Sequence, residues 1–149
     1  MVSPVWPCEQ PGGGVQVAVA ALVSRGDSVL LVRRAKAPAL GKWSLPGGHV
    51  LMGETLAAAV ARELAEETAL VATAVGELLA VSELVRPEAH LHYLIHVYRV
   101  EVDPTSVPRA GDDAAAVRWV RGDEAAGLDA TSGLREFLER HGAFVAPPS

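Results

Sequence analysis

Five charged residues at fixed spacing carry the chemistry legible in this chain: Glu54, then Arg62 and Glu63, then Glu66 and Glu67. On a helix of about 3.6 residues per turn, Glu63, Glu66 and Glu67 fall at i, i+3 and i+4 and share an arc of roughly 100°. Carboxylates at that spacing repel one another by a few tenths of a kcal/mol per pair, and by more where water is excluded. Arg62 offsets part of the repulsion and can reach Glu66 on the next turn. A hard divalent cation offsets far more. Magnesium takes oxygen donors and is typically held by a few carboxylates together with the phosphates of a substrate. The chemistry implied is therefore the binding of a divalent metal together with phosphate.

The elements that must position these groups follow from the flanking residues. Residues 54–67 hold no Gly or Pro and are dominated by Ala, Leu, Glu and Arg, which predicts a helix from near Glu54 to about Thr68. Gly53 permits a sharp entry, and Glu54 supplies negative charge where the helix dipole favours it. Leu56, Val60 and Leu64, spaced by four, form an apolar stripe beside the acidic arc. Upstream, Trp43-Ser44-Leu45-Pro46-Gly47-Gly48 reads as a turn, with Pro46 fixing the backbone. Its glycine pair lets the main chain pass close to a ligand or offer a carbonyl to a metal. An ordinary amphipathic helix with a charged edge explains Glu66-Glu67. It does not explain Gly48, Glu54 and Arg62 at these distances, and a chance match to the whole pattern is on the order of one in a million.

Residues 48–70 resemble the Nudix box: Gly, five residues, Glu, seven residues, Arg-Glu, an aliphatic, any residue, Glu-Glu, any residue, Gly, an aliphatic. The one departure is Ala69, where the family has Gly to close the helix in the left-handed conformation, and it implies modest strain or a different exit. The resemblance implies an α/β fold, the Nudix α/β/α sandwich with a mixed β-sheet. It also implies a cofactor, Mg2+ with Mn2+ as an alternative, held by Glu63, Glu66, Glu67 and the carbonyl of Gly47. Glu63, or a loop acid such as Asp112, takes the proton of the attacking water. Arg62 orients the carboxylates through Glu54.

Composition bounds the rest. The chain has 149 residues, half of them hydrophobic, which suits one domain with a core of its own. A net charge of −5 argues against nucleic acid and anionic membrane as partners. Cys8 is the only cysteine, so neither an intrachain disulfide nor a cysteine-based zinc site is possible. No signal peptide or apolar run of about 18 residues is present, and a cytoplasmic location is the simplest expectation. Residues 14–141 form the expected domain, with a Pro/Gly-rich arm at 1–13 and a loose tail at 142–149. A homodimer formed by exchange of the arm is compatible with the sequence.

Along the chain, 15–23 and 28–33 read as the two strands of a hairpin around a turn at 24–27, followed by a loop at 35–41. Strands are expected at 75–85, 91–102 and 116–120, a helical turn at 123–128 and a terminal helix at 132–141 that Gly142 stops. The alternation at 90–98 puts His90, His92 and His96 on one side of a strand. A metal site there is the sharper reading, and a polar strand face the plainer one. Asp112 and Asp113, with Glu83 and Glu88 as weaker alternatives, are candidates for an acid from outside the box. Trp43 and Trp119 are candidates to stack on a base, and Gly48 to face substrate. Residues 92–95, 111–114 and 118–120 also loosely resemble bacterial Nudix proteins assigned as ADP-ribose pyrophosphatases, with His96 at a position often acidic in them.

The substrate implied is a small-molecule nucleotide, a nucleoside diphosphate linked to a group X, with ADP-ribose or a related ADP-sugar favoured. The alternatives are noncanonical or oxidised nucleoside triphosphates, or a domain of another class that senses a nucleotide without cleaving it.

Overall fold

A run of Val and Ala from Gln16 to Leu22 forms the central strand, β1, and the five residues from Ala18 to Leu22 are all buried. A strand covered on both faces carries a continuous apolar run in place of the usual alternation. The computed structural model describes residues 14–36, 39–111 and 113–141. After β1 come β2 (Ser24–Arg25), β3 (Ser28–Arg34), β4 (Trp43–Ser44), β5 (Gly47–His49) and α1 (Leu56–Thr68). The long hairpin β6 (Ala72–Arg86) and β7 (Leu91–Val102) follows, joined by a 3-10 turn at Pro87–Ala89. The described chain finishes with β8 (Ala114–Arg121), α2 (Gly122–Ala125) and α3 (Leu134–Arg140).

The strands form a mixed sheet in the order β5-β1-β7-β6, in which β1 and β7 run parallel. A second sheet is built on β3, which pairs with β2, β4 and β8, each antiparallel. Side chains of β1 alternate between two cores, as strand geometry requires. Val19, Ala21 and Val23 pack with Ala59, Val60 and Leu64 of α1. Ala20 and Leu22 pack with Leu134 and Leu138 of α3. Helices thus cover opposite faces, giving the expected α/β/α sandwich.

Several boundaries shift, each for a local reason. α1 begins at Leu56 because Thr55 is its cap, accepting a hydrogen bond from the Ala58 N–H at 3.1 Å. Glu54 therefore precedes the helix and does not sit on its dipole. The glycine pair expected as a turn is instead strand β5, with Gly47 opposite Ala20 and Gly48 opposite Val19. Ala69 closes α1 at φ 64°, donating its N–H to the Ala65 carbonyl at 3.0 Å, so it takes the left-handed exit although it has a side chain. β6 and β8 start at Ala72 and Ala114, earlier than their sequence patterns indicate, because pairing with β7 and β3 extends them. α3 is shorter than expected, entered through Gly133 at φ 81°. The arm with Cys8, the tail from Gly142 and Asp112 lie outside the described residues. No helix among the described residues is long and apolar enough to cross a membrane.

Candidate active site

β1 anchors β5, and β5 in turn meets α1 at very close range. A Cβ on Gly47 would run into the Val19 carbonyl, and one on Gly48 into the carboxylate of Glu63. Neither glycine has a positive φ, so both are required for space alone. The Gly47 N–H donates to Glu67 Oε1 at 2.7 Å, tying the last turn of α1 to this strand.

Arg62 is the hub of the acidic cluster. Its Nε and Nη2 donate to the two carboxylate oxygens of Glu54 at 2.6 and 2.9 Å, a forked pair that a lysine cannot reproduce. Nη1 reaches Glu63 at 2.8 Å and Glu66 at 3.0 Å, and Nη2 also donates to the His49 carbonyl at 2.9 Å. Glu54 further accepts from the Leu51 N–H at 3.0 Å, which closes the loop between β5 and α1. The Arg62 bond, followed by the Leu51 N–H, holds the Glu54 carboxyl down at about 2, so it stays ionised at any physiological pH. Arg62 is in turn pushed above its already high value, chiefly by Glu54.

Glu67 is the opposite case. It is only 8% exposed, and burial pushes its carboxyl up to about 7. The Gly47 N–H pulls the other way, the charges of Glu63 and Asp113 raise it further, and Arg34 lowers it. A buried carboxyl surrounded by further acids lacks positive charge. Among the described residues no three acidic, histidine or cysteine side chains converge on one point; Glu63 and Glu66 meet at Arg62 Nη1, while the Gly47 N–H holds Glu67. The donor set nonetheless suits a hard cation: closely spaced carboxylate oxygens beside a strand backbone, with charge to be compensated.

The other candidates fall in different places. Asp113 pairs with Lys36 at 2.7 Å, its carbonyl accepts from the Ala35 N–H, and its charge reaches Glu67. Trp43 is partly buried against the second core and hydrogen-bonds through its backbone to Asp129 and Thr131, with the Arg118 guanidinium 5.8 Å from its ring centre. Trp119 packs against the first core with Arg25 stacked at 4.3 Å, its buried Nε1 without a partner among the described residues. It lines a cavity of about 430 Å3 with Ser24, Arg25, Arg99 and Pro104, and none of the box acids borders that space.

The three histidines do not converge. His92 faces Glu83 at 3.3 Å, His96 approaches the Ala18 carbonyl at 3.4 Å, and His90 sits at φ 54° at the end of the 3-10 turn that holds Glu88. Three participants carried little sequence signal: the His49 carbonyl, Arg34 on β3, and Gly111, whose N–H donates to the Glu67 carbonyl at 2.9 Å. Thr55 did carry one, a threonine just before an apolar helical run.

Known proteins resemble this chain in sequence and fold. A family model for the NUDIX domain matches residues 14–141. A Mycobacterium tuberculosis protein provisionally named 8-oxo-dGTP diphosphatase 2 is 39% identical over 121 residues, 76% of this chain and 79% of its own. An ADP-ribose pyrophosphatase of Methanocaldococcus jannaschii is 37% identical over 98 residues, 66% of this chain and 57% of its own. The crystal structure of a MutT NUDIX hydrolase from Burkholderia pseudomallei superposes with a TM-score of 0.75 at 29% identity, covering 84% of this chain and 96% of that one. With a family model spanning residues 14–141 and a relative 39% identical over most of both chains, the chain belongs to the Nudix hydrolase family.

Proposed function

We propose that residues 14–141 form a single catalytic domain that cleaves the pyrophosphate bond of a nucleoside diphosphate linked to a group X, with Mg2+ or Mn2+ as its metal. The observation that carries this is the Arg62-centred cluster, which holds Glu63 and Glu66 on the helix whose buried Glu67 is tied to the glycine strand. Glu63, Glu66, Glu67 and the Gly47 carbonyl would hold the metal. When bound, the metal neutralises phosphoryl charge and makes water a nucleophile near neutral pH. Glu63, confined against Gly48, or a loop acid such as Asp112, would take the proton from the attacking water. Arg62 fixes the direction of the carboxylates, and Glu54 fixes Arg62. Gly48 leaves room for the Glu63 carboxylate, and Gly48, Trp43, Asp112 and Asp113 are the residues that would face the substrate.

For X, ADP-ribose or a related nucleotide sugar is the first reading, supported by the likeness to the Methanocaldococcus jannaschii enzyme. The second reading, removal of oxidised or noncanonical nucleoside triphosphates, is supported by the longer match to the Mycobacterium tuberculosis protein. A hydrolysis panel with Mg2+ separates them. AMP release from ADP-ribose supports the first, whereas selective pyrophosphate release from 8-oxo-dGTP supports the second and removes the first. Binding of either nucleotide without turnover, with or without metal, would place the chain among non-catalytic sensing domains. Retention of all the box acids speaks against that.

A further inference from the structure

The last turn of α1 carries Glu66 and Glu67, and its carbonyls are capped from a distant part of the chain. The Arg109 N–H donates to the Thr68 carbonyl at 2.8 Å, and the Gly111 N–H to the Glu67 carbonyl at 2.9 Å. A helix leaves its last carbonyls without internal partners, and here a loop more than forty residues downstream supplies two. The approach is close enough that a Cβ on Gly111 would overlap the Glu66 carbonyl, with Glu67 Cα only 3.3 Å away. Gly111 is not among the residues of positive φ, so the position demands empty space and not an unusual backbone.

The loop is turned on itself at its start and tied to another segment at its end. At its start the Thr105 N–H and hydroxyl donate to Asp103 Oδ1 at 2.9 and 2.7 Å. At its end the Asp113 carbonyl accepts from the Ala35 N–H at 3.1 Å, just before β8 begins. Glu67 is thus held from two directions, its carboxylate by Gly47 and its carbonyl by Gly111.

We infer that residues 109–111 brace the end of the box helix, and that Gly111 is a positioning residue that sets Glu66 and Glu67 in place for the metal. The inference rests on the reading of those two acids as metal ligands. A side chain at 111 lifts the loop from the helix, frees the last turn, and weakens metal binding before any substrate is present. A loss of supporting contacts around metal ligands typically costs about 10–100-fold in affinity or activity.

The test uses the full chain, with Mn2+ binding followed by electron paramagnetic resonance and the metal concentration for half-maximal activity as a second readout. Gly111→Ala should raise the Mn2+ dissociation constant and the half-activation concentration by about tenfold or more. Val120→Ala, a truncation in the other core, should lower the melting temperature while leaving Mn2+ affinity unchanged. If Gly111→Ala does not fold, Arg109→Pro removes the N–H to Thr68 without adding bulk at 111 and should show the same shift. Wild-type Mn2+ affinity in Gly111→Ala, or in Arg109→Pro where that variant stands in, overturns the brace. Glu67→Gln separates the two levels. If it loses Mn2+ while the brace variants do not, only the brace falls; if it binds Mn2+ as the wild type does, the ligand reading falls and takes the brace with it.

Discussion

Arg62 and Glu54 face each other through two parallel hydrogen bonds, Nε to one carboxylate oxygen at 2.6 Å and Nη2 to the other at 2.9 Å. The pair links the loop before α1 to the middle of the helix. With the guanidinium held on that side, Nη1 is left pointing between Glu63 and Glu66. Glu54 thus acts on the acidic edge of the helix without lying on the helix.

Arg62→Lys keeps the charge and loses the fork. At saturating metal its kcat should fall by about 10–100-fold, with KM for the nucleotide little changed, because substrate contacts are left in place. Steady-state kinetics under a magnesium titration measure both. An unchanged kcat would mean that Arg62 is a structural tie only.

The two glycines of β5 should fail differently. Gly48→Ala drives a methyl into the Glu63 carboxylate, whereas Gly47→Ala drives one into the backbone of β1. A displaced base costs about 100-fold in rate while the strand pairing survives, so Gly48→Ala should lose activity with little change in melting temperature. Gly47→Ala should lower the melting temperature markedly. Thermal unfolding and turnover, measured on both variants, decide the matter, and the reverse pattern would refute the assignment.

Glu67 predicts a pH dependence of the metal-free protein. Its carboxyl rises from 4.5 to about 7 on folding, so between those values the folded chain keeps a proton that the unfolded chain has released. The unfolded state then binds fewer protons, and stability must fall as pH increases across that window. Melting temperatures in EDTA should therefore decline from about pH 4.5 to about pH 7 on this account. Glu67→Gln should remove that part of the decline, and an identical slope in the variant would contradict the shift.

Ala69 holds a left-handed conformation at φ 64° that costs a side-chain-bearing residue energy. Ala69→Gly relieves the strain while adding freedom to the unfolded chain, for a net gain of roughly 0.5–1 kcal/mol. The melting temperature should rise by about 2 °C with kcat unchanged. A drop in melting temperature would show that the site carries no strain.

The sequence by itself determined the box and its helix. Glu63, Glu66 and Glu67 fall on one arc because helical periodicity is local, and Leu56, Val60 and Leu64 select the buried face by the same rule. The strands themselves were legible too, since alternation and turn residues act over a few positions, and 75–85 with 91–102 form the β6–β7 hairpin. The hairpin expected of 15–23 and 28–33 does not form, because β1 and β3 pair in different sheets. Tertiary structure decided what depends on distant pairing. Gly47-Gly48 reads as a turn in isolation, and only registration against Ala20 and Val19 makes it a strand. The rise of the Glu67 carboxyl comes from burial and from the charges of Glu63 and of Asp113 before β8, against the pull of the Gly47 N–H and of Arg34 on β3. Most of these partners lie far away in sequence. Gly111 gave no sign, because the need for an absent side chain arises only where two backbones meet. Local spacing puts the acidic groups on one face of a helix; long-range packing sets their charge and their aim.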